Sequence, residues 1–391
     1  MAHDLLFPGP QTSDAPKRAD ETMWAFINRA SRPEMAAPRP VLEAWFAHWP
    51  ADHHGDLRGR LEAKDDRQFR GAFWELYLHE LHRRLGFQCE RDPEVPATTR
   101  RPDFLMNSPK GSFYLEATVV GYASTEAAAR KRQELVLDMI EAAYHPDFAL
   151  RVHQLAQGDA QPSQREVVGA IEQWLGSLDW DTEHRRIGEL DRADEVIVLG
   201  GGWRLRALPW PRPESSRGDR SFPTIAMRSG GGIFNEPPTI LDDLRAKASR
   251  YGRPDRPYVI AALCAREMAT HLDVEQALYG PEVVKVPVGP DGPVPEAARL
   301  DRQPKGLWQR GEQQSATRVS GVLSAIHLHP WSIASVQPTL WLNPAATRPL
   351  TADLPWATVT VEPTTGQFVR KCAHRAPREL LGLPDTWPCA G

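Results

Sequence analysis

The chain has 391 residues, 41 % of them hydrophobic and 25 % charged, with a formal net charge of -4. That length exceeds one minimal core and implies two or three packed units, and the acidic balance excludes a uniformly basic nucleic-acid coat while leaving room for a local basic cleft. Scattered cysteines (Cys89, Cys264, Cys372, Cys389) without a CxxC pair, no signal-peptide pattern and no run of about 18 apolar residues argue against a zinc site, a disulfide framework and a membrane span, and for a reducing cytoplasm.

Residues up to about 40 are rich in Pro, Ala and charge, with a short helical segment at "ETMWAFINRA". "PVLEAWFAHWP" follows, with Leu42, Trp45, Phe46 and Trp49 at helical spacing and Pro50 as the stop. The clearest helix is "DDRQFRGAFWELYLHELHRRLGF": Trp74, Tyr77, Leu78, Leu81 and Leu85 form one apolar stripe, and Gly86 sits where a glycine ends a helix. "FQCERDPEV", "PDFLMN" and "SFYLEATVV" read as three strands, the last two joined by a turn at Pro109, Lys110 and Gly111. "STEAAARKRQELVLDMIEAAY" and "QREVVGAIEQWLGSL" are two further helices, and "DEVIVLGGGWRLRALPW" is one or two strands. A long loop is expected from Pro209 to Pro238, then a helix in "TILDDLRAKASRYG" and a central apolar strand in "RPYVIAALC". Residues 280 to 312 are again rich in Pro and Gly, and the tail carries strands in "SGVLSAIHLHPW", "TLWLNP" and "ATVTVEP" before an irregular end.

The chemistry concentrates between Thr98 and Val120. With the turn centred between Pro109 and Lys110, Asp103 falls opposite Glu116 in an antiparallel hairpin, and opposed residues share a face with Cβ atoms roughly 4.5–5.5 Å apart. Two like charges so placed repel and need a cation; a hard divalent ion takes carboxylate oxygens readily. Glu116 lies between Leu115 and Ala117 in an apolar strand, sharing its face with Tyr114, Thr118 and Val120. The alternative is an exposed hairpin face whose carboxylates pair with Arg100 or Arg101.

"RPDF", followed thirteen residues after its Asp by "LEAT", resembles the PD-(D/E)XK nuclease superfamily, whose core is a helix, a three-strand meander, then a helix and a strand. Asp103 matches the first acid of that motif and Glu116 the second. Glu75 in "FWELYLHELHRRLGF" matches the acid many members carry on the preceding helix. The resemblance spans roughly residues 66–120 and resumes in "ILDDLRAKASRYGRPDRPYVIAALC". It implies an α/β protein with a restriction-endonuclease-like mixed sheet flanked by helices, a large insertion and a C-terminal β-rich extension. The expected parts are an N-terminal helical extension (1–60), the first part of the core (61–125), an insertion of helices, strands and loop (126–237), the closing helix and strand (238–290) and the β-rich region (291–391).

The resemblance further implies a Mg²⁺- or Mn²⁺-dependent endonuclease acting on nucleic acid, DNA foremost, with Asp103, Glu116, the Ala117 carbonyl and Glu75 as metal ligands and a homodimer allowed for. The pattern departs at its end. E-x-K reads here Glu116-Ala117-Thr118, and Thr118 can hold a water but carries no charge. Lys131 and Lys247, on helices after the hairpin, are the candidate replacements, and sequence does not choose between them. A catalytically inactive module of the same fold, binding nucleic acid or a protein partner, is the competing reading. An unrelated α/β protein with a charged hairpin edge is the third.

Helical geometry puts Glu75, His79 and His82 about 100° from the middle of the apolar stripe, a flank from which Glu75 can rim a cleft or pair with His79. His327 and His329 in "HLH" read as partly exposed strand histidines, and "DHHGD" (Asp52–Asp56) as a polar turn. "LGGGW" lacks phosphate-loop spacing and reads as a tight strand connection. Basic clusters at Arg100–Arg101, Arg130–Arg132 and His82–Arg84 flank the hairpin in sequence, as phosphate-binding surfaces do.

Overall fold

A computed structural model of the chain describes residues 5–18, 20–96, 98–120, 124–187, 189, 193–220, 222–228, 236–266, 269–285, 288–289, 292–293, 299–311, 313–362 and 367–388. It is a mixed α/β protein with a large mixed sheet flanked by helices. Two compact units are present: Met1–Pro16, Thr22–Gly121 and Asn235–Gly391 in the first, Lys17–Glu21 and Tyr122–Phe234 in the second.

The first unit opens with helices α1 (Met23–Arg29), α2 (Pro33–Ala36), α3 (Pro38–His48), α4 (His54–Leu61) and α5 (Asp66–Arg84). Asp65 caps α5 by accepting from the Arg67 N–H, and Gly86 leaves its far end at φ +84°, a conformation glycine adopts without strain. Strands β1 (Gln88–Arg91), β2 (Phe104–Ser108) and β3 (Gly111–Val120) form an antiparallel meander. The second unit holds α6 (Ser124–Glu141), β4 (Phe148–Ala156), α7 (Gln164–Gly176), α8 (Trp180–Arg185), β5 (Glu195–Val198), β6 (Arg204–Pro211) and β7 (Ile225–Arg228), with its sheet ordered β5-β6-β4-β7.

The chain then returns to the first unit through α9 (Glu236–Ala248) and β8 (Tyr258–Cys264), which lies parallel beside β3. Beyond it come α10 (His271–Tyr279), β9 (Glu282–Lys285), β10 (Val288–Gly289), β11 (Gly292–Pro293), β12 (Arg299–Arg302), β13 (Gln309–Arg310) and β14 (Gln313–Gln314). The last elements are β15 (Gly321–Ile326), β16 (Thr339–Leu342), β17 (Ala357–Val361), β18 (Phe368–Lys371) and α11 (Pro377–Leu381). Strands β15 to β18 extend the main sheet, whose order is β1-β2-β3-β8-β15-β16-β17-β18. The C-terminal strands therefore complete the sheet that carries the hairpin.

Alternation along these strands builds two cores. Phe104, Phe113, Leu115 and Ala261 pack with Trp74, Tyr77 and Leu78 of α5 on one face. Tyr114, Ile260 and Val322 pack with Leu244 of α9 and Leu278 of α10 on the other. All seven residues of β8 are buried, as a strand covered on both faces requires. Trp74, fully buried, fixes α5 to β8 by donating from Nε1 to the Ala261 carbonyl at 3.0 Å.

Several sequence expectations give way here. Asp52–Asp56 is a 3₁₀ turn running into α4. The strand before "HLH" ends at Ile326, and His327 has φ +58°, so the two histidines do not share a strand face. His79 and His82 are buried in the core. The Pro209–Pro238 segment contains β7, and its residues 221 and 229–235 lie outside the described part. No disulfide links Cys89, Cys264 and Cys372, Cys389 lies outside the described residues, and no helix among the described residues is long and apolar enough to cross a membrane.

Candidate active site at the free edge of β3

Pairing in the hairpin runs from Ser108 with Gly111 to Phe104 with Leu115, so Asp103, one residue before β2, stands across from Glu116. β3 outruns its partner. From Glu116 to Val120 it pairs with β8 and not with β2, leaving that stretch of its other edge open. Asp103 covers the first step of this edge: its Oδ2 accepts from the Ala117 N–H at 2.7 Å, where a strand neighbour would otherwise bond.

Alternation turns Glu116 toward α9. Lys247 Nζ donates to its Oε1 at 2.6 Å, Arg250 Nη1 to the same oxygen at 2.8 Å, and the Tyr251 hydroxyl to Oε2. Positions 247, 250 and 251 are spaced i, i+3, i+4, which brings them to one side at the end of a helix. Lys247 Nζ also reaches the Ala117 carbonyl at 3.4 Å, and the Tyr258 hydroxyl ties down this helix end through the Lys247 carbonyl at 3.1 Å. Glu116 is 1 % exposed. Both oxygens of this buried carboxylate are thus hydrogen-bonded, as burial of such a group requires.

Glu75 reaches the same end of the sheet from α5. Arg60 of α4 holds it with two bonds, 2.6 and 2.8 Å, and Arg91 at the end of β1 lies 3.1 Å away. The Arg91 guanidinium packs over the rings of Trp49 and Phe104 at 4.8 and 4.6 Å. The Asp103 carboxyl is raised from 3.8 to about 7, first by burial and then by the negative charges of Glu116 and Glu75, with the Ala117 N–H and Arg91 opposing them.

Beside this edge lies an open cleft of about 380 Å³, lined by Arg67, Gly71 and Glu75 of α5, Ala117 and Thr118 of β3, and Lys247. The structure thus brings Asp103, Glu116, Ala117, Thr118, Glu75 and Lys247 together. Lys131 is an exposed residue of α6 in the second unit. Four residues were not foreseen: Arg250 and Tyr251, for which spacing from Lys247 was the available signal, and Arg60 and Arg91, which carry none in the local sequence.

The flanking charges sort differently from their sequence clusters. Arg83 and Arg84 bond to the fully buried Glu80 at 2.8 and 2.6 Å, His82 is fully buried, and Arg101 pairs with Glu94 at 2.8 Å. Glu75 bonds to arginines and not to His79, which packs against Trp49. The Arg130 side chain lies outside the described residues.

Among the described residues no group of three or more His, Cys, Asp or Glu is arranged to hold a metal ion. The oxygen that remains for a hard cation is the Asp103 oxygen not bonded to Ala117; the Ala117 carbonyl, Glu116 and Glu75 join it only where their lysine and arginine partners share. These are oxygen donors of the kind Mg²⁺ and Mn²⁺ take. The chain matches no protein-family model, no curated protein and no solved structure.

Proposed function

We propose that this chain is a metal-dependent nuclease of the PD-(D/E)XK type, hydrolysing phosphodiester bonds, foremost of DNA, at the free edge of β3. One observation carries the reading: Lys247, from α9, bonds both Glu116 and the Ala117 carbonyl and lines the same cleft as Thr118. A lysine from a neighbouring helix thus reaches the place that the motif lysine would occupy. The element order supports it as well, since α5, the meander β1-β2-β3, α9 and the parallel β8 occur in the order of that core, with the second unit inserted between β3 and α9.

In this reading Asp103, Glu116 and the Ala117 carbonyl hold Mg²⁺ or Mn²⁺, and Glu75 extends the set. When bound, the cation supplies charge neutralisation at the phosphate and activation of water. Lys247 orients the attacking water or stabilises charge on the phosphate, Arg250 neutralises Glu116 when Lys247 turns to substrate, and Tyr251 keeps the Glu116 carboxylate in place. Thr118 offers a hydroxyl to the same water.

A second reading is a non-catalytic module that binds nucleic acid or a protein partner. It is favoured by the saturation of Glu116, whose two oxygens already accept from three donors. Incubation with labelled single- and double-stranded DNA and RNA, with Mg²⁺, Mn²⁺ or EDTA, separates the two. Cleavage that needs the metal and is lost in Asp103→Ala, Glu116→Ala and Lys247→Ala supports the nuclease; no cleavage of any substrate leaves the binding module.

A further inference from the structure

The four-stranded sheet of the second unit is covered on one face and open on the other. Leu150, Val152, Ile197, Leu205 and Ala207 turn inward to the core that α6 and α7 complete. On the opposite face Val196 and Val198 are 58 % and 65 % exposed, and Arg204, Arg206, Gln154 and Ala156 are exposed beside them. Strand register orders these into two rows: Val196, Arg206 and Gln154 in one, Val198, Arg204 and Ala156 in the next. The rows lie two residues apart, roughly 7 Å along the strand, a spacing comparable with successive phosphates of an extended single strand.

The carboxylates at β5 are turned away from the open face or engaged. Glu195, the carboxylate carried by β4 to β7, turns to the helical face, where Trp174 Nε1 donates to it at 2.6 Å. Asp194, just before β5, is enclosed by His153 and by Arg206 at 3.0 Å. The open face therefore presents flat apolar surface with Arg204 and, paired to Asp194, Arg206. A β-bulge at His153 bends β4 next to this surface.

We propose that this open face binds single-stranded nucleic acid, with bases against Val196 and Val198 and phosphates on Arg204 and Arg206. Unpaired bases offer the apolar surface these valines can cover, which a duplex keeps stacked inside, and the backbone supplies the anions. The choice of polymer rests on the nuclease reading; the face belongs to the second unit and the β3 edge to the first, and the two are tested separately.

The test uses the full chain in EDTA, with fluorescence anisotropy of labelled oligonucleotides of about 20 nucleotides. Single strands should bind more tightly than the matching duplex. Arg204→Glu should weaken that binding about tenfold or more and flatten its salt dependence. Gln154→Lys should tighten it a few-fold, a gain that misfolding cannot produce, and thermal unfolding of each variant should match the parent. The inference is overturned if Arg204→Glu and Val198→Asp bind as the parent does, or if the duplex binds better. It is also overturned if Val198→Asp converts a dimer to a monomer without changing oligonucleotide affinity, since the face then belongs to a second copy. Mg²⁺-dependent cleavage by the face variants at saturating protein is scored apart. Cleavage that persists while face binding fails, or the reverse, shows which of the two readings is wrong.

Discussion

Lys247 Nζ donates to Glu116 Oε1 at 2.6 Å although 131 residues separate the two in sequence. The pairing depends on β8 lying parallel beside β3, which returns α9 across the face that Glu116 occupies. The Tyr122–Phe234 part of the second unit is inserted in sequence between the partners.

If Lys247 supplies the missing motif lysine, Lys247→Ala should lower the cleavage rate by roughly 10²–10³ while leaving stability nearly unchanged, because Arg250 and Tyr251 still satisfy Glu116. Thr118 lines the same cleft, so Thr118→Lys added to Lys247→Ala should restore part of the rate. Single-turnover cleavage of parent, single and double variants measures this. A Lys247→Ala enzyme as fast as the parent would sink the assignment.

Tyr251→Phe removes the donor to Glu116 Oε2 and leaves a buried carboxylate oxygen without its bond. A cost of about 1–3 kcal/mol is expected, read as a lower urea midpoint with an unchanged m-value. If the midpoint does not move, Tyr251 is not what keeps Glu116 in place.

The hairpin was legible because its register follows from one turn and strict alternation: Asp103 opposite Glu116 needs only local sequence. Gly86 and the apolar stripe of α5 were legible for the same reason. The choice between Lys131 and Lys247 was not, since it depends on which distant strand pairs with β3. Arg60 and Arg91 were invisible because an arginine at the end of a short element looks like any solvated charge until its carboxylate is placed. The HLH segment failed on backbone conformation: alternation continues in the letters through His327, while the chain leaves the strand at Ile326. Strand β4 and helix α10 were missed although Thr270 and Asp273 form a capping box at the start of α10.

Glu75 holds the interior together as well as rimming the cleft. Its loss leaves Arg91, with a side chain 6 % exposed, only the more distant Asp92 at 4.0 Å as an ion-pair partner, so Glu75→Gln should destabilise by about 3 kcal/mol. Adding Arg91→Met should recover much of that loss. A double-mutant cycle by urea denaturation checks the coupling. Additive effects would mean that the two side chains do not depend on each other.

His82 is fully buried among Phe87, Phe113 and Trp356, and burial lowers its imidazole from 6.5 to about 4, against the opposing bond to the Leu78 carbonyl. The unfolded chain therefore binds this proton more readily. The contribution is fully present above about pH 6.5 and is lost as pH falls toward 4, by up to roughly 3 kcal/mol. His82→Phe should remove that acid sensitivity, which the difference in unfolding free energy between variant and parent from pH 7 to 4 would show. An unchanged difference across that range would rule His82 out as its source.

Asp103 acts with the opposite sign in the same range. Its carboxyl is raised from 3.8 to about 7 by burial and by Glu116 and Glu75, so the folded state binds the proton more tightly than the unfolded one. Its contribution is favourable below about pH 4 and is lost as pH climbs through 7. In EDTA at pH 8, Asp103→Asn should therefore be more stable than the parent, while cutting no substrate. Mg²⁺ or Mn²⁺ should raise the melting temperature of the parent, by an amount that grows with cation concentration as binding to the folded state alone requires, and should leave Asp103→Asn unmoved. Thermal unfolding of both proteins across a cation titration decides the matter. If the two respond equally, or neither responds, the carboxylates at the β3 edge do not hold the metal.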